Sequence, residues 1–224
     1  MEPVLFFILF IGIAIAAAII SNILNQKRRR ELEAVAQRLG LSFSPEKDYS
    51  MATRFEFLKH LDRGSNRYAY NIISGTFQGH EVIAFEYHYE TKSHSSKGGT
   101  RTQHHHISAC LLLLPGIFPE LTIAKEGFFS KIAQAFGYDD IDFESAEFSR
   151  AFCVRSPDKR FAYDVCNTGM MEYLLANREL VIEIDRNVLS LAFETTLRPD
   201  AFELNLVRLV ELRQLMPDYL FTKP

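Results

Sequence analysis

With 224 residues, 25 basic and 28 acidic side chains and a formal charge of −3, the chain lacks the positive excess that holds a polyanion, so nucleic acid is excluded as the expected partner. Taking the four basic residues at 27–30 and Glu2 out of those totals leaves 21 basic against 27 acidic residues in 31–224, a net −6 spread over a length normal for one compact domain. Cys110, Cys153 and Cys166 are odd in number and widely spaced, with no C-x-x-C pair for zinc or redox chemistry, which fits a reducing compartment.

From Pro3 to Leu24 there is no charged residue. At 1.5 Å per residue this run makes a helix of about 30 Å, the thickness of a bilayer's hydrocarbon core, and it is expected to span a membrane. Lys27-Arg28-Arg29-Arg30 follows at once, and the positive-inside bias then places the N-terminus outside and the rest of the chain in the cytoplasm. A cleaved secretory signal would need its basic region before a shorter apolar core, and here the basic cluster comes after. Lys27, Arg28, Arg29 and Arg30 are read as a topology signal that can also sit against anionic lipid headgroups, each contributing ~1 kcal/mol near the surface. The expected organisation is a transmembrane anchor over 1–25, a basic juxtamembrane segment with a short amphipathic helix over 26–40, and one α+β cytosolic domain over 41–224.

Leu32, Val35, Ala36 and Leu39 recur at helical spacing, with Gly40 placed to close the helix. The stretch from Ser42 to about Gly64 shows no clear period. From Tyr68 the period becomes two: a strand with Tyr68, Tyr70 and Ile72, a turn at Gly75 to Gly79, and a long strand over 82–90. Residues 91–102 have no apolar side chain and predict a mobile solvated loop. A third strand is expected from about His104 to Leu114, ending at Pro115-Gly116. Helices follow over Lys125 to Phe136 and around Phe161 to Leu175. A late hairpin is read at 180–193 with its turn at Asp185-Arg186-Asn187, and a last helix starts at Pro199 and stops before Pro217. Strands first, then mixed helices and hairpin, predict an antiparallel α+β domain.

Six of the seven histidines fall between His80 and His106, the one clustering of chemically capable residues. Strand alternation turns Phe85, Tyr87 and Tyr89 to the core and leaves Glu86, His88 and Glu90 on the other face. If the third strand pairs in the same sense, His104 and His106 join them, with His88 and His106 about 5 Å apart at Cβ. Imidazole and carboxylate donors suit Zn²⁺ or another divalent ion, so His88, His104, His106, Glu86 and Glu90 are the candidate metal ligands. The plainer expectation is a wet sheet surface, since parallel side chains converge only where something folds over them.

Phosphate-loop, dinucleotide-binding, nucleophile-elbow and H-E-x-x-H patterns are absent from the sequence, so no catalytic residue is nominated and no cofactor is expected apart from that divalent metal. Ser96-Lys97-Gly98-Gly99 is read as a connector, and Asp139-Asp140-Ile141-Asp142 with Glu144 as a solvated acidic loop. From Asp140 onward, Ile141-Asp142-Phe143-Glu144, Glu147-Phe148-x-x-x-Phe152-x-Val154-x-Ser156-x-Asp158 and Met170-Met171-x-x-Leu174 resemble a bacterial family of membrane-associated proteins catalogued only as a domain of unknown function. Phe85-Glu86-Tyr87-x-Tyr89 resembles the aromatic strand before that family's polar loop. Mainly residues 140–195 carry the likeness, and Asn167-Thr168-Gly169 departs from it where similar proteins tend to have a proline. It implies an address and an α+β shape, and no activity. The leading expectation is therefore a membrane-tethered module that binds another protein, of unknown identity, or the lipid surface; the alternative is a metal-dependent enzyme or sensor using the histidine face.

Overall fold

The computed structural model describes residues 2–94, 99–125 and 139–222. One helix, α1 (Glu2–Arg38), carries the uncharged run and the amphipathic piece without a break. The large apolar side chains from Phe6 to Leu24 are 41–70% exposed, so this part is long and apolar enough to cross a bilayer and is covered by no described residue. Past the basic cluster the same helix turns Leu32, Val35 and Ala36 into the domain, where they are buried. Gly40 at φ +69° ends it, with Leu41 N–H donating to Ala36 O at 2.8 Å and Gly40 N–H to Gln37 O at 3.1 Å, the paired bonds of a Schellman close.

The stretch without a sequence period holds a short strand, β1 (Ser42–Ser44), and a short helix, α2 (Ser50–Arg54). It is followed by β2 (Ser65–Phe77), β3 (His80–His94) and β4 (Thr100–Lys125), which with β1 on the far edge of β2, β5 (Phe152–Arg155) and β6 (Ile182–Phe193) form one antiparallel sheet. The α+β class is as expected. The solvated loop is shorter than expected, because Thr91 to His94 pair with Thr100 to Gln103 and lengthen the hairpin.

β4 organises the sheet. It does not stop at Pro115-Gly116 but passes through them, pairing with β3 on one edge and with β6 on the other. Thr122 pairs with both Arg155 and Glu183, so β5 lies beyond the end of β3 on the edge opposite β6. The β4–β6 register shifts between Leu113 and Phe118 and again before Leu121, which places the proline in an irregular segment where a missing N–H breaks no ladder bond. The late hairpin is corrected for the same reason: Asp185-Arg186-Asn187 does not reverse the chain. Arg186 takes φ +51° opposite Phe118, and both halves of β6 continue along β4.

The described residues also include the helices α3 (Ala146–Ala151), α4 (Lys159–Val165), α5 (Thr168–Ala176) and α6 (Pro199–Leu215), with a 3₁₀ turn at Asp218–Leu220. Where one helix was expected around Phe161 to Leu175 there are two, since Asn167 accepts from Met170 N–H at 3.1 Å and starts a new one. Ser145 and Asp158 cap α3 and α4 in the same way. Asp140 is not merely solvated: its carboxylate accepts from Val154 N–H at 2.7 Å and ties the acidic run to β5. Of the helix expected over Lys125 to Phe136, Lys125 is instead the last residue of β4 and the remainder falls outside the described residues, as does most of Ser96-Lys97-Gly98-Gly99.

The sheet is covered on both faces. Val82, Ala84, Cys110 and Leu112 share the larger core with Leu32 and Ala36 of α1 and Phe202, Leu206 and Leu209 of α6. Phe85, Tyr87, Tyr89, Ile107 and Leu111 pack on the other face against Met51, Phe55, Leu58 and Leu61. Double burial explains the unbroken apolar run from Ala109 to Leu114.

Candidate functional site

Strand parity holds, with an unexpected consequence. Glu86, His88 and Glu90 do lie opposite Phe85, Tyr87 and Tyr89, and the register places His88 across from His106, as expected, and also Glu90 across from His104. Their face, however, continues the helix-covered core, so Glu86 and His88 are 1% and 3% exposed and not the wet surface expected of them.

Three neighbours account for that burial. The Arg28 side chain leaves α1, where Nε donates to Glu86 Oε1 at 2.5 Å and Nη2 to Leu197 O at 2.5 Å. Asn71 of β2, at φ +50° beside a bulge, donates from Nδ2 to Glu86 Oε2 at 2.7 Å. Tyr68 stacks on the His88 ring with centroids 4.6 Å apart. The bulge between Tyr70 and Ile73 also moves Ile72 to the opposite face from Tyr68 and Tyr70, which the simple alternation missed.

The five predicted ligands separate into two groups. His88, Glu90 and His104 bring one donor atom each within 4.8 Å of one another. Glu86 is instead committed to Arg28 and Asn71, and His106 Nδ1 lies 2.9 Å from the Tyr70 hydroxyl. Burial, then the Glu86 charge, pushes the Tyr70 phenol far above its ordinary range, so it stays protonated and can donate to His106. Of the basic cluster, Arg28 is turned into the domain, and Lys27 lies within reach of Glu31 at 3.9 Å. Arg29 lines a cavity of about 420 Å³ with Asn25, Lys47, Tyr68, Tyr70 and His106, at the point where the apolar run of α1 gives way to charge. Lys47 Nζ sits 4.4 Å over the Tyr68 ring.

A second buried polar site escaped the sequence reading because His60 stands apart from the other histidines. On the opposite part of the sheet, His60 Nδ1 meets Glu183 Oε2 at 2.6 Å, and the other carboxylate oxygen accepts from Lys59 N–H at 2.6 Å. Burial raises Glu120 and Asp185 beside it above the ordinary carboxyl range, with Glu183 adding to both. The bulge asparagines, Asn66 and Asn71, were equally unread; their type is the only sequence signal, since asparagine tolerates positive φ best among residues with a side chain.

No family model matches the chain, and no curated protein matches it. The fold is similar to that in the crystal structure of the mycobacterial trehalose monomycolate transport factor A, TtfA. The two are 13% identical over 84% of this chain and 96% of that one, with a TM-score of 0.55. That identity shows a shared fold alone. Chemically, the site is an array of aromatic rings, hydrogen-bond donors and three cations, of which Arg28 is paired with the Glu86 carboxylate, beside a nitrogen–oxygen donor set. The three cysteines are buried, and burial raises their thiols, Cys153 to about 12, which leaves them inert as nucleophiles.

Proposed function

We propose that the chain is a single-pass membrane protein whose domain, held on the cytoplasmic side by its basic cluster, binds the polar surface of the bilayer beside its own anchor. The observation that supports this is the cavity at the foot of the apolar run. Arg29 and Lys47 are suited to headgroup phosphates, and Tyr68 and Tyr70 are the amphipathic rings that favour a membrane–water interface. Because α1 runs unbroken from the apolar segment into the core, this face is held at one height and orientation relative to the helix. The role named for TtfA, transport of trehalose monomycolate, is in keeping with a membrane-side task and lends no substrate to this chain. The resemblance of residues 140–195 to a bacterial membrane-associated family belongs to the same reading.

A photo-crosslinking side chain at position 47 of the full chain in native membranes tests it. Lipid adducts are expected. A discrete protein adduct instead would make the face a docking site for a protein partner, and no adduct of either kind would remove the proposal. Orientation is tested separately by a reporter fused after Pro224, which is expected to be active in the cytoplasm only.

A further inference from the structure

We propose that His88, Glu90 and His104 bind one divalent ion of the zinc class, with Asn66 as the residue that positions them. The inference is independent of the lipid-surface reading, since none of these three side chains lines the cavity at the helix foot.

Two of the three donor spacings match coordination, and all three donors lie within 4.8 Å of one another. His88 Nε2 lies 3.1 Å from His104 Nδ1, and His104 Nδ1 lies 3.4 Å from Glu90 Oε1. In a tetrahedral site with bonds of about 2.0–2.1 Å, neighbouring donors stand about 3.3 Å apart. The same spacing can be met by a proton on His104 Nδ1 shared between His88 and Glu90, and that is the arrangement from which a metal would displace it.

The tautomer is set for a ligand. His88 Nδ1 is 3.0 Å from the carbonyl oxygen of Asn66, and a carbonyl can only accept, so the proton of the neutral ring sits on Nδ1. The lone pair is then on Nε2, directed at His104. A metal-binding histidine is held in this way, its other nitrogen donating to a backbone carbonyl, and the Tyr68 stack fixes the plane of the ring.

Asn66 acts on the second ligand as well. Its Nδ2 donates to Glu90 Oε1 at 2.6 Å, so one residue orients both the imidazole through its backbone and the carboxylate through its side chain. Asn66 holds φ +50° at a bulge of β2. Just before it, Gly64 approaches Glu90 so closely that a Cβ there would lie 2.1 Å from the Glu90 carbonyl oxygen. A strained backbone that delivers two oriented donors is expected where geometry serves a site. The His104 side chain is 60% exposed, which leaves the ion's remaining positions open to water or a small ligand. Two imidazoles and one carboxylate favour Zn²⁺, Co²⁺ or Ni²⁺ over Mg²⁺ and Ca²⁺, which take all-oxygen shells.

The test uses the full chain in detergent, purified without a histidine tag and stripped with chelator, then titrated with Co²⁺ and Zn²⁺. One equivalent of Co²⁺ is expected to bind, to give visible d–d bands, and to be displaced by Zn²⁺. H104A, at an exposed position that spares the fold, is expected to weaken binding at least tenfold and to abolish the rise in Tm that Zn²⁺ causes. N66A is expected to weaken it by about 10–100-fold, the usual effect of losing an outer partner. H106A, a histidine already engaged by Tyr70, is expected to bind as the parent does. Absence of a one-to-one complex, or binding that survives H104A, overturns the assignment; loss of binding in H106A would show that the donor set is a different one.

Discussion

Arg28 and Glu86 join the long apolar N-terminal helix to the centre of the sheet. The guanidinium reaches from α1 to a carboxylate that is almost wholly buried, and its second arm binds the Leu197 carbonyl, so three separate parts of the chain meet at one cation. Leu197 N–H in turn donates to Ser108 Oγ at 2.9 Å, which locks the segment entering α6 to β4. The domain is thus clamped to its helix by charge as well as by the apolar contacts of Leu32 and Ala36.

Arg28→Met is expected to lower domain stability by about 2–3 kcal/mol, below the full range for a broken buried pair because the arginine keeps some solvent contact. Glu86→Gln in the same background should recover part of the loss, as the amide needs no counter-charge. Chemical unfolding of the four proteins of that double-mutant cycle measures the coupling, and additive effects would show that the pair contributes little.

Gly64→Ala is expected to be among the most damaging single methyl additions in the chain. Gly64 sits at φ +64° with the Glu90 backbone where a Cβ would go, so β2 and β3 must part there. A loss of at least about 2 kcal/mol follows from the clash together with the left-handed backbone. Gly79→Ala, with positive φ but open space, should cost about 1 kcal/mol, and the difference in thermal midpoints between the two isolates the contact.

Stability in the presence of chelator should fall as pH drops below about 6.5, the ordinary histidine value. His106 is held below that value by burial first and then by His88, with His104 and His105 acting in the same direction and Glu86 against it. The unfolded chain therefore takes up the proton before the folded one does, and stability declines from pH 6.5 down to the depressed folded value. His80, lowered by burial and Arg213, adds the same sign. Glu120 and Asp185, raised by burial, have the opposite sign over the interval from their raised folded values down to about pH 4, so the histidine contribution is read as the difference between the parent and a variant lacking His106. His106→Gln should flatten the decline, as measured by urea midpoints at pH 7.5 and 5.5.

Thiol labelling should report unfolding. Cys110, Cys153 and Cys166 are buried with raised pKa values, so a maleimide is expected to react with the native protein far more slowly than with the denatured one. Rapid labelling of one cysteine in the native state would locate a segment that opens on its own.

Local chemistry was legible from residue order. An uncharged run of membrane length, a stop of four cations and a glycine after Leu39 define α1, because hydrophobicity, charge and left-handed φ are properties of single residues and their neighbours. The alternation of β3 and β4 was equally plain, and with it the pairing of His88 with His106. The tertiary structure alone decided what covers each face. Whether Glu86 meets water or Arg28 depends on where a helix 58 residues away is docked, and no local period encodes that. The same holds for the path of β4 through Pro115 and of β6 through Arg186, since a turn and a bulge use the same residues and only a partner strand beside them distinguishes the two. Asn66, the residue that aligns His88 with Glu90, acts through a carbonyl, a positive φ and a neighbouring glycine's missing side chain. Those are features of a folded backbone, and they acquire chemical meaning only when the strands have met.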